Sequence, residues 1–167
     1  MRACRIGAGR RREAADTGTL SSQYPGMPQT PLKPAGHYES VVVHGGIAYV
    51  SLQLPRVGNE LRFVGRVGRE LTTEQGCEAA RVCAMRALAV LDNALGSRMR
   101  IIRMLRVSGH IAGVEDFTEQ SYILDAASVL FERELGPRGA HARSVFGVHA
   151  LPGGAPVGIE IQVAVHD

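Results

Sequence analysis

The sequence predicts an α+β fold, a twisted sheet with two helices on one face. Three observations carry that expectation. Runs rich in β-branched residues at 40–44, Ile47–Gln53, 101–111 and 144–149 read as strands. Two other stretches place apolar residues at helical spacing, and many of those residues are small enough to let a helix lie close on a sheet. At the end of the chain Val157, Ile159, Ile161, Val163 and Val165 alternate with other residues, so the last strand has one buried and one open face.

In chain order, Gly45-Gly46 separates the first two strands and reads as a tight hairpin, because both turn positions want positive φ. Residues 61–63 form a short third strand. Thr72 then caps a helix, with Gln75 three residues on closing a capping box. Ala80, Ala84, Ala87, Leu88, Leu91 and Leu95 follow at helical spacing, and Gly96 marks the stop. After the 101–111 strand, Asp116 and Glu119 form a second box before Ile123, Ala127, Leu130 and Phe131. Gly136-Pro137 ends that helix. Leu151-Pro152-Gly153-Gly154 is the turn between the last two strands. Coverage of one sheet face only leaves the other to a partner, commonly a further copy of the chain.

At 167 residues the chain suits one domain, long enough to bury about two-thirds of its unfolded surface without staples. No apolar run approaches the roughly 18 residues of a membrane-spanning helix. Three cysteines, an odd number, argue against a disulfide scaffold, and Cys77 and Cys83 lie on one helix without facing each other. A reducing cytoplasm is the expected home. The first twelve residues hold Arg2, Arg5, Arg10, Arg11 and Arg12 and no acid, so the rest of the chain carries −2 of the net +3. The basic pI of 9.0 therefore belongs to the terminus, and nucleic acid is not an expected partner of the body. Residues 1–35 show no helical or strand period and read as a disordered extension ahead of a single domain at 36–167, with Met27 an alternative start.

Constellations of common chemistry are missing. The six histidines are scattered without metal-ligand spacing, so no metal is expected. Ser108 lies in Val-Ser-Gly-His, which is not a nucleophile elbow, and Gly7-Ala8-Gly9 lacks the third glycine of a dinucleotide loop. Cys77 and Cys83 read as small, inert core residues.

Several segments together resemble one family. They are Gly36-His37-Tyr38, the run from Ala48 to Pro55, and the run from Gly65 to Gly76. Asp116-Phe117-Thr118-Glu119-Gln120, the run from Gly139 to Ser144, the run from Gly147 to Pro152, and Val157-Gly158-Ile159-Glu160 complete the set. In this order they are similar to the Rid family of reactive-intermediate deaminases, formerly YjgF, also labelled endoribonuclease L-PSP or chorismate-mutase-like. The resemblance covers about residue 30 to the end. It implies a chorismate-mutase-like, twisted mixed sheet of about five to six strands, and a homotrimer with clefts between subunits. For active members it implies hydrolysis of imino and enamine acids such as 2-aminoacrylate to 2-keto acids and ammonia, without a cofactor.

Carried over residue by residue, the resemblance makes Arg143 the binder of the substrate carboxylate, followed by Ser144. Tyr38 matches the family tyrosine near the cleft, and Ser51 the serine after the second strand. A guanidinium can hold a carboxylate by two parallel charge-assisted hydrogen bonds. The sequence also departs from the family. Leu52 stands where Ser-Gly-Gln has glycine, Val145 where many members have cysteine, and Asp125 where the second helix has asparagine. If Asp125 faces Arg143, its carboxylate competes with the substrate's. The catalytic glutamate of the last strand falls at Gly158, and Glu160, on the same strand face, lies about 6.6 Å further along. Two readings follow. One is a deaminase that binds through Arg143 and holds its water with Ser51, backbone groups or Glu160. The other is a small-carboxylate-binding trimer that has lost catalysis. The ribonuclease of the family label finds no acid–base histidine pair here and a net acidic body.

Overall fold

The computed structural model describes residues 34 and 36–166. The expected disordered extension falls almost wholly outside these residues. Strands β1 (Val41–His44) and β2 (Ile47–Gln53) form the first hairpin, with Gly45 at φ 58° and Gly46 at φ 73° turning it. Two positive φ values in succession match the right-handed twist of the paired strands.

The expected strand at 61–63 is corrected. A small hairpin forms earlier, from β3 (Arg56–Val57) and β4 (Glu60–Leu61), and it stands apart from the main sheet. Gly58, at φ 61°, supplies the turn that pulls the pairing back towards residue 56.

Helix α1 (Thr73–Leu95) starts at the expected capping box. The Gln75 amide donates to Thr72 Oγ1 at 3.2 Å, and the Thr72 amide donates to Gln75 Oε1 at 2.9 Å. Gly96 ends it in the left-handed conformation. Helix α2 (Gln120–Leu135) begins later than the sequence suggested. Asp116 is not its cap, because the Phe117 amide closes a turn onto the Val114 carbonyl and diverts the chain first. Glu119 occupies the cap position without a side-chain bond.

The five-stranded sheet has the order β1-β2-β7-β5-β6, where β5 is Ile101–Ala112, β6 Ala142–Val148 and β7 Val157–Val165. Among these five strands only β5 and β6 pair in parallel, with α2 as the crossover that such a pair requires. Both helices cover one face. Val157, Ile159, Ile161, Val163 and Val165 are all buried beneath them, as their alternation predicts. Gly109 makes close approach possible, since a Cβ there would lie 2.5 Å from Leu124 of α2. Cys77 and Cys83 are buried in α1, and burial pushes the Cys83 thiol pKa far up, which makes it inert.

Cross-strand partners put Val42, Tyr49, Gln162, Arg106, Ser108, Glu160 and Ser144 on the opposite, uncovered face. Phe146 and Tyr49 are exposed there. No helix among the described residues is long and apolar enough to cross a membrane.

Candidate functional site

The residues singled out in the sequence fall into three places. The first is the seam between α2 and β6. Ser121, Asp125 and Ser128 share one stripe of α2, by their spacing of four and three residues. Arg143, alternating on β6, points to the helix side. Its Nη1 donates to Asp125 Oδ1 at 2.6 Å and to Ser128 Oγ at 3.1 Å, and its Nη2 to Ser121 Oγ at 3.0 Å. Asp125 therefore does face Arg143 and pairs with its Nη1. His141 extends the chain of bonds. Its Nδ1 lies 2.6 Å from the Gly139 carbonyl, which can only accept, so Nδ1 carries the proton. In the neutral ring Nε2 then accepts from Ser128, 3.1 Å away, while Ser128 accepts from Arg143.

The second place is a groove of about 300 Å³ on the uncovered sheet face, where Ser51 and Glu160 meet Arg106, Ser108 and Tyr49. Glu160 Oε1 lies 3.6 Å from His110 Nε2, and the His110 ring stacks on Phe146. Ser144 also faces this side, and its hydroxyl accepts from Arg106 Nη2 at 2.9 Å. Ser144 and Arg143, adjacent in sequence, thus serve opposite faces.

The third place is a cavity of about 440 Å³ at the end of β2, between the β3–β4 hairpin and α1. Tyr38, Leu52 and Gln53 line it. So does Arg86, which sequence reasoning missed. Arg86 is 7% exposed and its Nε has no hydrogen-bond partner. Its Nη1 donates to the carbonyls of Arg56, at 3.2 Å, and Gly58, at 3.4 Å. Burial holds the guanidinium pKa below its ordinary value; the adjacent Cys83 opposes this and the Arg56 charge adds to it. One signal could have revealed the residue. Ala79, Val82, Arg86 and Val90 recur at helical spacing, which places an arginine in a buried stripe.

Leu52 links this cavity to Gly158. A Cβ built on Gly158 would lie 2.9 Å from Leu52 Cδ1 and 3.1 Å from Cδ2 and Cγ. The two departures noted in the sequence are therefore one steric unit, with the leucine filling the space into which a side chain at 158 would grow. Within one copy, Arg143 is separated by the sheet from Ser51, Glu160 and position 158. Among the described residues no three His, Cys, Asp or Glu side chains converge as metal ligands.

Residues 27–157 match a family model described as "YjgF/chorismate_mutase-like, putative endoribonuclease". Protein TCP17 of Trypanosoma cruzi is 36% identical over 135 residues, 80% of this chain and 84% of that protein. The crystal structure of a protein of unknown function from Agrobacterium tumefaciens superposes with a TM-score of 0.78 at 35% identity, covering 80% of this chain and 86% of that one. A structure from Shewanella oneidensis, titled a putative endoribonuclease, also has a TM-score of 0.78. It is 25% identical and covers 81% of this chain and 90% of its own.

Proposed function

From the premise that this chain belongs to the YjgF/chorismate-mutase-like family, we propose that it binds small carboxylates, such as 2-keto and 2-imino acids, without hydrolysing them. One observation carries the reading. Position 158, where the family resemblance places the water-activating carboxylate, is glycine, and Leu52 fills the adjoining space. A general base must reach the water it deprotonates, within about 3 Å. Glycine offers no side chain to do so, and the leucine removes the polar room beside it.

The binding partner includes other copies of the chain, as a homotrimer with clefts between subunits. Two features support this. The uncovered sheet face exposes Val42, Tyr49 and Phe146, apolar surface that self-association would bury. Arg143 and the Ser51–Glu160 groove lie on opposite faces of one sheet, so a single small ligand meets both only across an interface. Sedimentation equilibrium reads the association directly, and a monomer would remove the shared clefts.

A deaminase is the second reading, favoured by Glu160 and Ser51 sharing one groove with His110 beside the carboxylate. The experiment that separates the two follows 2-imino acids made by an amino-acid oxidase and trapped by semicarbazide. The expected result is no acceleration of imine loss by this protein. An acceleration abolished by Glu160→Gln would make the protein a deaminase with Glu160 as base.

A further inference from the structure

We propose that the cavity at the end of β2 is a monocarboxylate-binding site and that Arg86 is its anchor. The inference deepens the carboxylate-binding reading and rests on it. What it changes is the residue that does the binding and the shape of the ligand.

Three observations argue for it together. Arg86 is 7% exposed, and among the described residues no carboxylate pairs with it. Its bonds to the Arg56 and Gly58 carbonyls leave Nε unpartnered and the full positive charge uncompensated. Arg56 also lines the cavity and adds a like charge, with its own Nη1 held by the Asn59 carbonyl. Arginine is rarely buried unless paired, because a desolvated charge lacks both water and counter-ion. Arg86 lines a space of about 440 Å³, within the range of small-molecule sites. A ligand carboxylate there supplies the missing counter-charge.

The walls select the rest of the ligand. Leu52, Leu54 and Pro152 are apolar, and Tyr38, Ser40, Gln53 and Asn59 supply polar groups beside the two arginines. Among the described residues Arg86 is the one buried charge, and Arg56, the second cation of the lining, is partly exposed to solvent, so a singly charged acid with a short alkyl body matches the buried end of the site. A multiply charged inorganic anion would carry unbalanced charge against the apolar wall. Arg143 offers no such vacancy, since Asp125 already neutralises it.

The test is calorimetric titration of the full chain with 2-ketobutyrate, 4-methyl-2-oxopentanoate and inorganic phosphate, with a melting curve for every variant. The expected result is binding of both keto acids, with the longer alkyl chain the tighter, and none of phosphate. Arg86→Met should weaken keto-acid binding roughly ten- to hundredfold, as for a lost charge-assisted bond. It should leave the melting temperature of the free protein unchanged or higher, because it removes a buried unpaired charge. Arg86→Lys keeps the charge without the fork and should give an intermediate loss. Should Arg86→Met fail to fold, unchanged affinity in Arg86→Lys overturns the assignment. So does a lowered melting temperature in Arg86→Met with unchanged affinity, which would make Arg86 a strut for the hairpin. Binding lost in Arg143→Ala and kept in Arg86→Met leaves the carboxylate reading standing and overturns Arg86 as anchor. Phosphate binding as well as the keto acids overturns the monocarboxylate assignment. No binding of either keto acid overturns both.

Discussion

Two arginines divide this molecule. Arg143 sits in the segment that resembles the Rid family and is chemically occupied. It bonds Asp125, Ser128 and Ser121, and Asp125 provides its counter-charge. Arg86 sits in no recognised motif and is chemically unfinished, buried beside a cavity with an unpartnered Nε. Residue type is the same at both places. What differs is whether the fold has already supplied the anion. A guanidinium already paired must give up that pair to bind a ligand, whereas an unpaired buried one gains by binding. The position of an arginine in a motif therefore says less about its availability than its neighbours do.

The largest expected effect concerns the Leu52–Gly158 unit at the Arg86 end. Gly158→Glu alone should not restore hydrolysis, because its Cβ would start 2.9 Å from Leu52. The double change Leu52→Gly/Gly158→Glu opens the space and supplies the carboxylate together. In the semicarbazide assay it should raise imine hydrolysis by about 10² or more, the usual range for a general base. Equal rates for the single and double variants would show that the leucine is no obstacle. The single variant should also be destabilised by about 1–3 kcal/mol, the ordinary result of overpacking. Urea unfolding checks this, and the double variant should recover most of the loss, since contacting sites couple.

Next in size is a change that touches stability without touching either arginine. Thr72→Ala removes the side-chain half of the α1 capping box and should cost about 1 kcal/mol in urea unfolding. Arg86 lies nearly four turns further along α1, so the affinity for 2-ketobutyrate should stay within twofold. A parallel loss of affinity would mean that Arg86 variants report helix stability rather than ligand contact.

How much of this was legible beforehand depends on range. The Thr72 box, the Gly45-Gly46 hairpin and the alternation of β7 are local signals, and each stands where its residues predict. α2 starts later than its cap pattern predicts because the turn at Val114–Phe117 competes for the same residues, and a cap pattern alone does not decide between them. The small hairpin leaves no comparable mark in the sequence, since two-residue strands carry no periodicity. At the site, the approach of Asp125 to Arg143 was visible as a conditional, because the resemblance sets Asp125 at the position of an asparagine on the second helix. The complementarity of Leu52 and Gly158 was not. The two residues are far apart in sequence, and only the pairing of β2 with β7 brings them together.

The smallest effect separates the two arginines most cleanly. Asp125→Asn removes the counter-charge of Arg143 while leaving a side chain of the same size. The pair is only partly buried, with half of the Asp125 side chain (50%) open to solvent, so its contribution to stability is at most about 1 kcal/mol. Unfolding should shift by no more than that. Binding is the sharper readout. If Arg86 anchors the ligand, the dissociation constant of 2-ketobutyrate should stay within twofold of the parent, because nothing at the β2 cavity has changed. If Arg143 is the anchor and Asp125 its competitor, freeing the guanidinium should tighten binding severalfold or more. A tightening in Asp125→Asn that disappears in Asp125→Asn/Arg143→Ala would move the ligand to the α2–β6 seam and leave Arg86 a structural charge.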